Sequence, residues 1–262
     1  MTDSINNVLL GLVEGLTEFL PISSTGHLLL AEKLLGIERS EVFNVVIQTG
    51  AVVAVLAVFT RQVKEMAQSL GNPTTRDYLL KLLAAFVITA VGGLALKKLG
   101  LTLPKEMTPV AYATLIGGVL FLGIEFWLRG RPSSDQITWS IAVAFGIAQL
   151  IAAAFPGASR SGTTILIALA LGLARPAATQ FSFLLGIPTL LAAGAKELLD
   201  AVKHHADHEP WVQIGLATAV AAVSAFLVVK WFLGYIRSHT FSPFGWYRIV
   251  LGVAVLIWLR SV

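Results

Sequence analysis

The chain has 262 residues, of which 56% are hydrophobic and only 13% are charged, whereas a soluble domain carries about 25% charged residues because water must solvate its surface. The mean hydropathy of +0.78 indicates that the exterior is apolar as well, which is typical of a protein dissolved in lipid. The net charge is +4 and there is no cysteine, which excludes disulfides and thiolate metal sites. Because no basic stripe with interleaved aromatic residues is present, we expect no nucleic-acid partner.

The first apolar stretch, residues 5–35, is interrupted at positions 21–27 by Pro-Ile-Ser-Ser-Thr-Gly-His. Each arm is too short to cross a bilayer, which takes about 17–25 helical residues. The interruption frees backbone groups that lipid cannot satisfy, and such a break is tolerated where it is buried in protein or lines a watery cavity. We therefore predict a re-entrant helical hairpin. The N-terminus lacks the basic region and cleavage site of a signal peptide, so we expect none to be removed.

Six later apolar runs are long enough to predict transmembrane helices, at residues 42–60, 78–99, 110–128, 178–198, 211–234 and 246–259. The last run is short, and we expect Trp246, Tyr247 and Trp258 to anchor its ends at the two interfaces. Between the third and fourth runs lies a second interrupted stretch, residues 141–173, broken at positions 156–162 by Pro-Gly-Ala-Ser-Arg-Ser-Gly. It predicts a second re-entrant hairpin for the same physical reason.

The two breaks occupy matching positions in the two halves of the chain. Three residue pairs share one spacing: Gly11 with Gly146, Pro21 with Pro156, and Ser24 with Ser159. We therefore predict a single membrane domain, residues 1–262, made of repeats at 5–135 and 140–262, each a hairpin followed by three spans. Three spans move the chain across the bilayer and a hairpin does not, so the second repeat is inverted. The alternative is chance similarity between two apolar segments broken by glycine and proline.

The predicted fold is therefore all-α and polytopic, with six transmembrane helices and two re-entrant hairpins in an inverted repeat. Basic residues are more frequent in the connectors after the first, third and fifth spans. By the positive-inside rule this distribution predicts that both termini are outside the cell.

The first hairpin carries two carboxylates, Glu14 and Glu18, which are four residues apart and share one face of a helix. Two carboxylates at membrane depth are costly unless the site binds protons or recruits a cation. We interpret the pair as functional. The alternative is that the two carboxylates lie at a hydrated interface or neutralise a basic residue in a purely structural ion pair.

Hydroxyl groups follow the carboxylates at the break, where Ser23, Ser24 and Thr25 precede His27. The unpaired amides and the dipole of the helix that begins there suit an anion, and His27 can carry a proton near neutral pH. Taken alone, such a serine and threonine run is also an ordinary helix cap.

The second break places one arginine, Arg160, among hydroxyls and glycines at another helix start. The neighbouring residues are Ser159, Ser161, Gly162, Thr163 and Thr164. Arginine binds phosphate oxygens bidentately, and glycine allows close backbone approach. The alternative is a structural ion pair of Arg160 with Glu14 or Glu18.

Over nearly its whole length, and in both motifs, the chain resembles the undecaprenyl-pyrophosphate phosphatase (bacitracin-resistance) family. The resemblance lies in Glu14 and Glu18, in Pro-Ile-Ser-Ser-Thr-Gly-His at 21–27, and in Pro-Gly-Ala-Ser-Arg-Ser-Gly-Thr-Thr at 156–164. It implies hydrolysis of undecaprenyl diphosphate to the monophosphate in the bacterial inner membrane. It also implies a divalent cation, a role in recycling the lipid carrier of cell-wall synthesis, and a site open to the periplasm or cell exterior.

The residues and the resemblance together predict the roles within this site. Glu14 and Glu18 are expected to hold Mg²⁺ or Ca²⁺, and Ser24 to attack the terminal phosphorus while His27 moves protons. Expected to bind the diphosphate are Ser23, Thr25, Ser159, Arg160, Ser161 and Thr164. Two alternatives to Ser24 remain open: a water activated by His27 or Glu18 as the nucleophile, or His27 itself as the acceptor of the phosphoryl group. We count Glu18 and Arg160 among the catalytic residues.

The lipid partners and the assembly complete the sequence-based hypothesis. We expect the polyprenyl tail to lie in a groove between apolar helices, in contact with membrane lipids. A homodimer is an open alternative for the assembly. Since inverted repeats with broken helices are typical of transporters, a lipid flippase is the alternative function. His204, His205 and His208 are interpreted as part of a solvated loop rather than a metal site, and Glu125 as pairing with a basic residue or reaching the interface.

Overall fold

The computed structural model describes residues 2–101, 104, 106–203 and 211–261. His204, His205 and His208 lie outside the described residues. Within these ranges the chain folds into eleven helices without a β-strand, and the one β-bridge joins Ser134 to Leu173. The all-α prediction is therefore confirmed for the described part of the chain.

Six helices are long and apolar enough to span a membrane by length and composition, as predicted. They are α3 (Glu41–Val58), α5 (Pro73–Leu99), α6 (Met107–Trp127), α9 (Arg175–Lys203), α10 (Trp211–Tyr235) and α11 (Ser242–Ser261). The predicted runs coincide with them, but α5 begins five residues earlier than expected. Asn72 caps its first turn by accepting from the backbone N–H of Thr74, and Pro73 suits the first position because it has no N–H to satisfy.

Four shorter helices form the two interrupted stretches. α1 (Thr2–Thr17) is followed by α2 (Ser24–Leu35), and α7 (Trp139–Ala154) by α8 (Arg160–Ala170). The two members of each pair pack against each other. All four are shorter than the roughly 17 residues that a helix needs to cross a bilayer.

One further helix, α4 (Thr60–Gln68), occupies a segment that the sequence indicated only as a polar connector. None of its residues is buried. Its apolar and polar residues separate onto opposite faces around the helix axis, a pattern easily missed in nine residues because a short amphipathic helix contains few apolar positions.

Contacts bring the two ends of each interrupted pair close together. Arg39, just before α3, forms an ion pair of 3.1 Å with Asp3 at the start of α1. Lys33, near the end of α2, lies over the ring of Trp258 near the end of α11. We call this the terminal end, because α1 begins and α11 ends there. The Ser134–Leu173 bridge joins the chain before α7 to the chain after α8 at the opposite end.

Extensive contacts hold the helices around the broken pairs. α10 packs against both α1 and α3, α11 against α6, α7 against α5, and α9 against α3. Glycine permits the closest approach: a Cβ on Gly11 would lie 2.4 Å from the carbonyl oxygen of Ala217. Small residues at helix contacts are the usual way for helices to approach closely in lipid.

Candidate active site

Each break ends at a serine that caps the next helix. Ser23 and Ser159 accept hydrogen bonds from the backbone N–H groups of Gly26 (3.2 Å) and Gly162 (3.1 Å). The two serines have φ angles of 75° and 69° and are the non-glycine residues with positive φ in the described chain. This conformation is strained for a residue with a Cβ, and such strain occurs at functional sites.

The caps also identify which residues are equivalent at the two breaks. Ser23 is equivalent to Ser159, whereas the constant spacing had paired Ser24 with Ser159. The difference arises because the second break has one more residue between its proline and its capping serine. Arg160 therefore stands in the second half where Ser24 stands in the first. The two breaks present different chemistry at the same helix position.

Glu18 is the point at which the two breaks meet. Its carboxylate accepts a hydrogen bond of 2.6 Å from the hydroxyl of Ser24 and one of 3.1 Å from the guanidinium of Arg160. Arg160 also lies over the ring of Phe19, 5.2 Å from its centre. Residues 142 positions apart in the sequence thus share one buried cluster, in which Glu18 and Ser24 are both buried.

A polar cavity of about 300 Å³ opens beside this cluster. Its walls include six of the predicted site residues: Glu18, Ser23, Ser24, Thr25, Ser159 and Arg160. Gln48, Thr89, Gln149 and Thr189 add further polar groups from α3, α5, α7 and α9. Hydroxyl, amide and guanidinium groups surrounding one cavity between two helix N-termini form a suitable environment for a polyanion.

Glu14 does not line the cavity. It is fully buried, and neither carboxylate oxygen receives a hydrogen bond from the described residues. A buried carboxylate without a donor is costly. It therefore has lone pairs free for a cation or a proton, which fits the predicted metal role.

His27 points away from the cavity, toward α11. One ring nitrogen, Nδ1, lies 2.7 Å from the carbonyl oxygen of Ser23, and the other, Nε2, lies 2.6 Å from the hydroxyl of Tyr247. Because a carbonyl oxygen can only accept, Nδ1 must carry a proton and donate it. In this arrangement His27 holds the strained Ser23 cap and does not line the cavity.

Two predicted phosphate-binding residues are buried in helix contacts. The hydroxyl of Ser161 donates to the carbonyl oxygen of Leu20 at 3.0 Å, so it joins the second break to the first. Thr164 lies 2.7 Å from the hydroxyl of Ser182 on α9. Neither residue lines the polar cavity, so the structure brings them near the site without exposing them to it.

Arg248 on α11 ties the two breaks together and was not among the sequence-based candidates. It is fully buried and donates to five backbone carbonyl oxygens at 3.0–3.3 Å. The acceptors are Pro21 in the first break, Gly157 and Ala158 in the second, and Ala113 and Thr114 of α6. The available signal was an arginine inside the last apolar run, since an ionisable residue in a membrane span is functional by default.

Gly186 of α9 makes room for the Arg160 side chain. A Cβ at this position would lie 2.5 Å from one guanidinium nitrogen and 2.9 Å from the guanidinium carbon. Sequence reasoning could not identify this role, because one glycine in an apolar helix carries no signal of what packs against it.

A second ion pair, Glu125 with Arg175, lies away from the cavity. Glu125 is buried and accepts from Nε and Nη2 of Arg175 and from the backbone N–H of Phe241, 2.8 Å away. The expectation that Glu125 pairs with a basic residue is confirmed. Its three donors join α6, α9 and the start of α11, so its role is structural.

An apolar groove of about 580 Å³ adjoins the polar cavity. Thr89, Ala153 and Thr189 line both spaces. From these residues the groove runs between α3, α5 and α9 to the terminal end, where Glu41 and Lys97 stand at its mouth. A polar chamber continuous with an apolar groove suits a ligand with a charged head and a long hydrocarbon tail.

Comparison with known proteins relates this arrangement to one family. Residues 7–254 match the family model described as bacitracin resistance protein BacA. Curated relatives named undecaprenyl-diphosphatase include one from Xylella fastidiosa strain Temecula1, 47% identical over 99% of this chain and 100% of the relative. Others are from Rhizobium johnstonii, 49% identical over 97% and 96% of the two chains, and Xanthomonas axonopodis pv. citri, 49% identical over 100% and 99%.

Proposed function

We propose that this chain, which belongs to the bacitracin resistance protein BacA family, releases phosphate in the polar cavity between its two breaks. Its activity is the hydrolysis of undecaprenyl diphosphate to undecaprenyl phosphate and inorganic phosphate, the phosphatase activity named for its full-length relatives. The family implies roles in recycling the lipid carrier for cell-wall synthesis and in bacitracin resistance.

The observation that carries the proposed mechanism is the short contact between Ser24 and Glu18. The Ser24 hydroxyl attacks the terminal phosphorus, and Glu18, 2.6 Å away, accepts the hydroxyl proton. A P–O bond forms to Ser24 as the bond from phosphorus to the bridging oxygen breaks, and undecaprenyl phosphate leaves. Water then hydrolyses the phosphoserine and releases inorganic phosphate. The rival mechanism has Glu18 activating a water for direct attack.

Arg160 is proposed to hold the diphosphate and stabilise the charge that develops as the bond breaks. Its guanidinium lies on the cavity wall and is oriented by Glu18, the ring of Phe19 and the Ser182 carbonyl oxygen, 3.4 Å away. Fixed donors aimed at developing charge are the main source of catalysis in phosphoryl transfer. The hydroxyls of Ser23, Thr25 and Ser159 line the same wall and add further donors.

His27 is proposed to act through Ser23 rather than on the phosphate. Its hydrogen bonds to the Ser23 carbonyl oxygen and to Tyr247 hold the cap in the strained conformation that precedes Ser24. This positioning role replaces direct proton transfer, since no His27 atom lines the cavity.

Glu14 and Glu18 are proposed to hold a divalent cation, Mg²⁺ or Ca²⁺. Support comes from the unpartnered, buried carboxylate of Glu14, and carboxylate and phosphate oxygens are the ligands these hard cations prefer. A bound cation would neutralise charge on the diphosphate. The described residues contain no cluster of three or more metal-ligating side chains, so substrate oxygens and water would complete the coordination.

The broken helix pairs are proposed to be re-entrant hairpins of an inverted repeat. Supporting contacts are the Asp3–Arg39 ion pair and the Ser134–Leu173 bridge, which bring the two ends of each pair together at opposite ends of the bundle. The polyprenyl tail would follow the apolar groove. We further propose that the protein lies in the inner membrane with the groove and both termini facing the periplasm or cell exterior, and that a homodimer is its assembly.

The test of the catalytic assignment uses detergent-purified protein, undecaprenyl diphosphate and Mg²⁺ or Ca²⁺. Ser24→Ala and Arg160→Ala should each lower phosphate release by about 10²-fold or more, while Ser261→Ala, at an exposed hydroxyl bonded within its own helix, should retain it. Acid-quenched protein should contain phosphoserine at position 24. Full activity in Ser24→Ala would contradict the serine mechanism, and a loss of activity without phosphoserine in the wild type would favour direct attack by water.

The proposed cation site is tested by the dependence of activity on cation concentration. Glu14→Gln should raise the Mg²⁺ or Ca²⁺ concentration needed for half-maximal activity by about tenfold or more, because it removes one of the two carboxylate ligands. Glu65→Gln, at an exposed carboxylate on α4, is the matched control. An unchanged cation requirement in Glu14→Gln would remove Glu14 from the proposed metal site.

A further inference from the structure

A second large cavity lies at the end of the bundle opposite the terminal end. Its volume is about 770 Å³. Two segments form its walls: positions 58, 61, 62 and 65 of α3 and α4, and positions 230, 233, 234 and 237 at the end of α10. The first set lies where α3 passes into α4, and the second lies on the last turns of α10 and in the turn that follows it. Pro176 and Gln180 of α9 complete the wall.

The cavity carries two basic side chains without an acidic partner. Of its charged residues, Arg61 pairs with Glu65 at 2.8 Å. Lys230 and Arg237 form no ion pair with any described residue. Both are exposed and face the cavity from α10 and the turn that follows it. Two unpaired positive charges on one wall attract a phosphate group.

The rest of the lining is amphipathic. Gln180 donates to the side-chain oxygen of Gln62 at 2.6 Å, so an amide pair crosses the cavity. Below it lie apolar side chains, among them Phe59 and Ile236, which are buried. A free inorganic anion gains nothing from an apolar floor, whereas the glycerol and upper acyl carbons of a phospholipid do.

The surroundings place this cavity at a membrane interface. α4, which forms one wall, has no buried residue. Trp231, on α10 next to the basic wall, is 53% exposed, as is typical of aromatic side chains at the lipid headgroup level. Basic residues at this depth strengthen binding to an anionic lipid surface.

We propose that this cavity binds the phosphate headgroup of an anionic phospholipid, with Lys230 and Arg237 on the phosphate and the apolar floor under the acyl chains. The site is separate from the catalytic cavity and does not depend on the proposed mechanism. Its occupancy would hold α4 and the end of α10 together.

The charge test uses the full-length protein in detergent and native mass spectrometry with phosphatidylglycerol. Lys230→Gln with Arg237→Gln should weaken phosphatidylglycerol binding by about tenfold, since it removes both cations. Arg129→Gln with Arg131→Gln is the matched control, with the same change of charge at the same end of the bundle but outside the cavity. Retained phosphatase activity establishes that the variants are folded. Equal weakening in the two double variants would overturn the proposal.

A steric test leaves the charge unchanged. A Cβ on Gly234, on the cavity wall, or on Gly215, at the other end of α10, meets nothing within 4 Å. Gly234→Phe should fill the cavity and weaken phosphatidylglycerol binding, whereas Gly215→Phe should not. Phosphatidylcholine of the same chain length should bind more weakly than phosphatidylglycerol to the wild type. Displacement of phosphatidylglycerol by an equal concentration of inorganic phosphate would show a free-anion site and overturn the lipid assignment.

Discussion

At the residue scale, two arginines at the second break have different roles. Arg160 points into the polar cavity and shares Glu18 with Ser24. Arg248 points into the protein and, among the described residues, donates only to backbone carbonyl oxygens. A break in a membrane helix leaves carbonyl groups that lipid cannot satisfy, and the fork of one guanidinium has enough donors to satisfy several of them.

Arg248→Met should therefore destabilise the fold, because it removes several hydrogen bonds at once. It leaves buried carbonyl oxygens, including those of Pro21 and Ala158, without a donor, at a cost of about 3–5 kcal/mol. The thermal unfolding midpoint of Arg248→Met in detergent should lie well below that of the wild type. The midpoint of Arg248→Lys, which keeps some of the hydrogen-bond donors, should lie between those of Arg248→Met and the wild type. Lys230→Met, at an exposed basic residue, serves as control. An unfolding midpoint of Arg248→Met equal to that of the wild type would contradict the proposal that Arg248 stabilises the two breaks.

At the element scale, the positions of the broken helices depend on close glycine contacts. A Cβ on Gly15 of α1 would lie 2.0 Å from the Ser224 hydroxyl and 2.4 Å from the Ala221 carbonyl oxygen on α10. α1 carries Glu14, next to this contact, and Glu18 follows one turn later. The approach of α1 to α10 therefore sets the depth of both carboxylates.

Gly15→Ala should separate these helices, since a backbone carbonyl cannot move aside as a flexible side chain can. Overpacking of this kind costs about 1–3 kcal/mol, and both the unfolding midpoint and phosphate release should fall. Gly93→Ala on α5 is the control: its Cβ meets open space, so higher helix propensity should leave the protein as stable or slightly more stable. Equal midpoints for the two variants would show that the α1–α10 distance is not limiting.

At the scale of the whole molecule, the polar cavity continues into the apolar groove that opens at the terminal end. The basic cavity described above lies at the other end. The two ends should therefore lie on opposite sides of the membrane, and in the proposed orientation the terminal end faces the periplasm or cell exterior.

Single cysteines test this arrangement without background, because the chain has none of its own. Glu38→Cys, at the terminal end, should react with an impermeant maleimide in intact cells. Gly71→Cys, in the turn between α4 and α5, where a Cβ meets open space, should react only after the membrane is permeabilised. The reverse pattern would place the groove on the cytoplasmic side and contradict the proposed sidedness.

The amino-acid sequence by itself determined the spans, the two breaks and the chemistry they carry. Backbone polar groups in lipid must be satisfied within the chain, which favours helices, so the apolar runs predicted α3 and α6 closely. Carboxylates or an arginine at a break are conspicuous in an otherwise apolar sequence. Only the tertiary structure decided which groups meet. The hydrogen bonds of Glu18 to Ser24 and Arg160, the turn of His27 toward Tyr247, and the five carbonyl acceptors of Arg248 all join distant parts of the chain. Such contacts depend on helix packing, which no local pattern of residues encodes.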